Sequence, residues 1–183
     1  MINNKVFLLQ ATKWALKPNI KPSMISDDRR YSKKERDEAN KLEKLWGNSM
    51  IGQSGNNQWT TKLGEELVRQ LYLSKGIFIK RPQKINGYCP DWETDKYIIE
   101  VKTRNWTTSG TAGEKVLGVP FKYSVIPRLY GKPLKIVCIA YQEYELTYGN
   151  TRVFGDNISD EKNILLGIWK NMDIEFIKFS TLV

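Results

Sequence analysis

Apolar residues recur at three- and four-residue spacing in "TTKLGEELVRQLYLSKG", residues 60–76, where Leu63, Leu67, Val68 and Leu71 fall on one stripe. That period predicts an amphipathic helix, with Gly76 just beyond it as a stop. Charge dominates "SKKERDEANKLEKLW" at 32–46, where Ser32 and Glu35 form an S-x-x-E capping box that opens a solvated helix. "IFIKR" at 77–81 predicts a short strand, and "CPDWE" with "YIIEVKTR" predicts a hairpin turning at Asp95-Lys96. A second capping box, Thr111 to Glu114, predicts a helix that Gly118 and Pro120 cut short. The continuous apolar run "LKIVCIAY" at 134–141 has the pattern of a central strand covered on both faces. "SDEKNILLGIWKNM" predicts a C-terminal helix and "IEFIKF" a last strand at a sheet edge. "KPNIKPSMISDDRR" (17–30) predicts an irregular arm, and "GNSMIGQSGNNQW" (47–59) a flexible loop. The sum is an α/β (α+β) domain with a mixed sheet and flanking helices.

Length and composition narrow the class. At 183 residues, 40% of them hydrophobic, the chain is expected to form one folded domain over 1–183. No apolar run approaches the ~20 residues of a membrane span. "MINNKVFLLQATKW" lacks the basic start and small-residue cleavage site of a secretion signal, so a cytoplasmic protein without a membrane partner is expected. Cys89 and Cys138 then read as free thiols. Lys and Arg outnumber the acids 29 to 20, a balance of +9 that suits a polyanion, of which nucleic acid is the commonest soluble kind. The chain has no histidine, which removes Ser-His-Asp and histidine–metal chemistry. No C-x-x-C or G-K-[ST] occurs either, so iron–sulfur, zinc-site and Walker-loop readings lack support.

One strand departs from its own pattern. "PDWETDKYIIEVK" at 90–102 is apolar and β-branched in its second half, yet it carries Glu100 and Lys102. Side chains alternate along a strand, so these two share a face roughly 6.6 Å apart, while Tyr97, Ile99 and Val101 take the other face. The hairpin brings Asp91, after Pro90, beside Glu100. Two carboxylates converging at one strand end repel each other unless a cation joins them. A hard ion such as Mg²⁺, or Mn²⁺ in its place, takes oxygen ligands of this kind.

Pro90-Asp91 followed by Glu100-Val101-Lys102 at the end of an apolar strand resembles the core of the PD-(D/E)XK nuclease superfamily. That superfamily includes most type II restriction endonucleases and Holliday-junction resolvases. The resemblance covers about residues 60–142 and implies a restriction-endonuclease-like core. An N-terminal arm and helix (1–58) and a C-terminal helix and strand (151–183) would flank it. It further implies Asp91 and Glu100 as metal ligands, Lys102 as the catalytic lysine, and a carboxylate from the preceding helix. In "LGEELV" both Glu65 and Glu66 flank the apolar stripe, and periodicity does not choose between them. The Gly-Glu order of some members favours Glu65.

The resemblance therefore implies a Mg²⁺-dependent endodeoxyribonuclease acting on double-stranded DNA, most simply a homodimeric restriction-like enzyme. The alternatives are a structure-selective nuclease, such as a resolvase or homing-type enzyme, and a non-cleaving DNA-binding module on the same fold. Thr107, Thr108, Ser109, Thr111, Lys115 and Lys122 follow the charged strand and are candidate phosphate contacts, against the plainer reading of a solvated loop and capped helix. Gln142, at the end of the "IVCIAY" strand, is either a terminator or a residue reaching the edge of the site.

Overall fold

A computed structural model describes residues 3–16, 31–55, 58–107 and 111–183; the side chains of 111–113 lie outside the description. Three helices come first: α1 (Asn4–Leu16), α2 (Lys33–Met50) and α3 (Trp59–Ser74). The hairpin β1 (Trp92–Glu93) and β2 (Ile98–Arg104) follows. A 3-10 helix (Thr111–Gly118) and two short helices, α4 (Val119–Lys122) and α5 (Ile126–Tyr130), come next. β3 (Leu134–Ala140) runs directly into α6 (Tyr141–Tyr148), and α7 (Asp160–Asn171) and β4 (Ile174–Lys178) complete the order. The strands form one mixed sheet in the order β1-β2-β3-β4, antiparallel between β1 and β2 and parallel thereafter.

Alternation along β2 and β3 explains the layers. Ile99, Val101, Val137 and Ile139 pack into one core with Phe7, Ala11 and Trp14 of α1 and Leu63, Leu67 and Val68 of α3. Ile98, Leu134, Ile136 and Cys138 face a second core built with Val116, Val119, Ile126 and Leu146. The prediction of a central strand covered on both faces holds for β3, and β4 lies at the edge as expected. α3 reaches the sheet closely because residue 64 is glycine: a Cβ there would stand 1.7 Å from Thr103 Oγ1. Only a residue without a side chain allows that approach.

Several local expectations are corrected. "IFIKR" is not a strand; only the isolated bridge Lys80 to Glu93 forms there. Ile77 and Phe78 are exposed, and Pro82 removes the next donor, so nothing holds a ladder together. Residues 47–50 belong to α2 rather than to a loop, because Gly47 leaves room for the Trp59 ring, which a Cβ would meet at 2.0 Å. The predicted arm at 17–30 lies outside the described residues, whereas α1 before it was not foreseen. The predicted capping box at 32–35 is present: Glu35 N donates to Ser32 Oγ and Ser32 N to Glu35 Oε2.

α2 is not simply solvated. Glu43 is buried and accepts hydrogen bonds from Trp14 Nε1, the backbone N–H groups of Trp106 and Thr107, the Thr107 hydroxyl and Asn105 Nδ2. It thereby pins the chain leaving β2 between α1 and α2. Pro120 does not end the helical path after the 3-10 helix; it sits in the first turn of α4, where its missing N–H costs nothing. Gln142 is not a strand terminator, since it lies in the first turn of α6. Among the described residues no helix is long and apolar enough to cross a membrane.

Candidate active site

The hairpin register places Trp92 opposite Ile99, so Asp91 stands just outside β1 at the level of β2's charged half. Its Oδ2 accepts the Val101 N–H at 2.7 Å, which locks the carboxylate against the strand. On the next rung Lys102 Nζ donates to Glu100 Oε1 at 2.6 Å. Glu100 is 4% exposed, and among the described residues its other oxygen, Oε2, is buried without a well-formed hydrogen bond, although the Tyr123 hydroxyl lies close to this carboxylate. A charged oxygen left without a donor is costly unless a cation or donor arrives to satisfy it.

α3 supplies the third carboxylate. Glu65 forms an ion pair with Arg81 Nη2, and its backbone carbonyl accepts Trp92 Nε1 at 3.0 Å. Glu66 points elsewhere and binds Arg69 and Gln70. Of the two candidates, only Glu65 therefore turns toward Asp91. Arg81 was not foreseen, because a single arginine between Lys80 and Pro82 carries no periodic signal. Its guanidinium lies 4.1 Å over the Trp92 ring. It also donates to the Asp91 carbonyl at 2.9 Å and stands 3.7 Å from Asp91 Oδ1.

These neighbours change acidity. Burial, then the Glu100 charge, raises Asp91 to about 7, against the opposing hydrogen bond from Val101 N. Burial and Glu100 likewise push the Tyr123 phenol well above its ordinary value. For Asp91 the folded chain holds a proton that the unfolded chain, with a carboxyl near 3.9, has released. Stability from that proton is complete below about pH 4 and is lost as pH rises through about 7. In EDTA the thermal midpoint should fall from pH 5 to pH 8 more steeply for the wild type than for Asp91→Asn. Parallel melting profiles would show that Asp91 titrates as an ordinary carboxylate.

The donor set suits a hard divalent ion: all oxygen, one buried oxygen unsatisfied, and one carboxylate that resists ionising unaided. Among the described residues, however, no group of three or more Asp, Glu, His or Cys side chains is gathered tightly enough to hold an ion. Asp91 and Glu100 lie side by side, and Glu65 is engaged by Arg81.

The remaining candidates separate. Thr107 is buried, and its hydroxyl donates to Glu43 Oε2 at 2.6 Å, which removes it as a phosphate contact. Thr108 and Ser109 lie outside the described residues, as does the side chain of Thr111, which opens the 3-10 helix. Lys115 and Lys122 are exposed and line a cavity of about 390 Å³ together with Lys102, Arg104, Tyr123 and Gln142. No protein-family model matches the chain, and no curated protein or solved structure does so either.

Proposed function

We propose that this protein is a divalent-metal-dependent endodeoxyribonuclease, restriction-like in its use of one duplex-binding face. The observation that supports the reading best is the meeting of Asp91, Glu100 and Lys102 at one strand end, with Glu100 Oε2 unsatisfied. Asp91 and Glu100 would hold Mg²⁺ or Mn²⁺, joined by Glu65 once Arg81 turns away. Such an ion supplies Lewis acidity toward a phosphoryl oxygen. Lys102, held on Glu100, directs a positive charge at the water that attacks phosphorus and at the charge that develops there. The water oxygen bonds to phosphorus as the P–O3′ bond breaks, and the 3′ oxygen takes up a proton, leaving a 5′-phosphate.

A second reading has its own observation. Arg81 already neutralises Glu65 and approaches Asp91, an arrangement that suits a non-cleaving DNA-binding module without a metal. One assay separates the two: purified protein, unmethylated plasmid, and either Mg²⁺, Ca²⁺ or excess EDTA. Discrete fragments with Mg²⁺ and DNA retention without cutting in Ca²⁺ are the expected results. Cutting confined to four-way junctions would make the enzyme structure-selective. Cutting that persists in EDTA would remove the metal mechanism, and binding without any cleavage would establish the module.

A further inference from the structure

β3 ends in an unusual step. Ala140 has φ 57° and ψ −127°, a conformation costly for an L-residue, and α6 begins at the next position with no loop between. The step delivers the start of α6, which has no side-chain cap, to the carboxyl ends of the parallel strands β2 and β3. Ligands of open parallel sheets collect at such ends. Gln142, in that first turn, is 4% exposed and lines the 390 Å³ cavity, while among the described residues its Nε2 is buried without an acceptor. A buried amide donor left without a partner in a folded chain asks for an acceptor from outside.

The charges around the cavity indicate which acceptor. Arg104 is matched by Glu145 at 2.7 Å, and Lys102 by Glu100 at 2.6 Å. Lys115 and Lys122 have no carboxylate within ion-pair distance among the described residues, and Lys122 Nζ lies 4.9 Å from the Tyr123 ring centre. Two ammonium groups without a carboxylate partner among the described residues and an orphan amide thus line one open cleft beside Lys102. We infer that this cavity is a phosphate-binding subsite, in which Gln142, Lys115 and Lys122 hold an oxyanion of a nucleotide strand next to the group presented to Lys102. The inference rests on the nuclease reading for its place along a strand. The oxyanion itself can be a terminal phosphomonoester or an internal phosphodiester.

Titration of the full chain in EDTA tests it without turnover. The probes are thymidine 5′-monophosphate, the dinucleotide TpT and uncharged thymidine, read by calorimetry and by the Gln142 side-chain amide signals in NMR. At least one phosphate probe should saturate and shift those signals, and thymidine should not. Preference for the monophosphate assigns the site to strand ends, and preference for TpT to the continuous backbone. Gln142→Leu removes an unsatisfied buried amide at similar size, so it should melt no lower than the wild type while weakening the phosphate probe tenfold or more. Lys115→Ala with Lys122→Ala should weaken it at least as much. Absence of saturable phosphate binding, or affinity indifferent to both variants, overturns the subsite. Phosphate binding by a chain that never cuts DNA would keep the subsite and sink the nuclease. DNA cleavage by a chain whose phosphate affinity ignores both variants would do the reverse.

Discussion

Lys102→Ala should cleave DNA at least about 100-fold more slowly than the wild type at saturating Mg²⁺, the scale of loss when one stabilising group is taken from a developing phosphoryl charge. The side chain is one-third exposed and contacts Glu100 through its ammonium, so its removal costs little packing. Mn²⁺ binding, followed by calorimetry, should persist or tighten, because Glu100 Oε1 loses a competing cation. That split, binding kept and turnover lost, distinguishes a chemical role from a structural one. Wild-type rates in Lys102→Ala would take β2 out of the reaction. Asp91 needs a gentler substitution than alanine. Its Oδ2 accepts the Val101 N–H, so Asp91→Ala strands a backbone donor within the hairpin, whereas Asp91→Asn keeps an acceptor. Asp91→Asn should lose cleavage to a similar extent while keeping the fold.

How much could be read beforehand follows from how local each signal is. The turn at Asp95-Lys96, the Ser32–Glu35 box and the stripe Leu63, Leu67, Val68 and Leu71 are fixed by neighbours within a few residues, and all appear in the structure. The meeting of Asp91 with Glu100 is equally local, being set by a four-residue turn. Glu65 and Glu66 look alike on a helical wheel and differ only once Arg81 arrives from beyond α3. Ile77 and Phe78 look like strand residues, yet both are exposed and, among the described residues, the one bridge of this segment forms at Lys80. α6 was hidden because "IVCIAY" runs on without a Gly, Pro or Asn to mark the strand's end; strain at Ala140 makes the turn instead. In α1, Phe7, Ala11, Trp14 and Ala15 do carry helical spacing, but interleaved polar residues shorten the pattern.

Glu43→Ala should destabilise the protein by several kcal/mol, since each buried donor left unpaired costs roughly 1–3 kcal/mol. Nothing in the sequence marks Glu43 among the charged residues of α2; its role exists only where α1, α2 and the exit of β2 meet. Its two oxygens accept five hydrogen bonds, from Trp14, Asn105, Trp106 and twice from Thr107. Alanine would leave backbone and indole donors buried, since Trp106 and Thr107 are 4% and 7% exposed. Trp106 Nε1 also donates to the Trp14 carbonyl at 2.9 Å, so the loss would spread to the α1 contact. With total stabilities of roughly 5–15 kcal/mol for such domains, the variant would sit close to unfolding. Glu43→Gln should lose less, because one amide oxygen still accepts while the NH₂ meets donors instead of pairing with them. Urea unfolding followed by tryptophan fluorescence measures both, with the midpoint lowest for alanine and intermediate for glutamine. A shift worth under about 1 kcal/mol for Glu43→Ala would mean that water replaces the carboxylate there, and that the segment after β2 is held by packing alone.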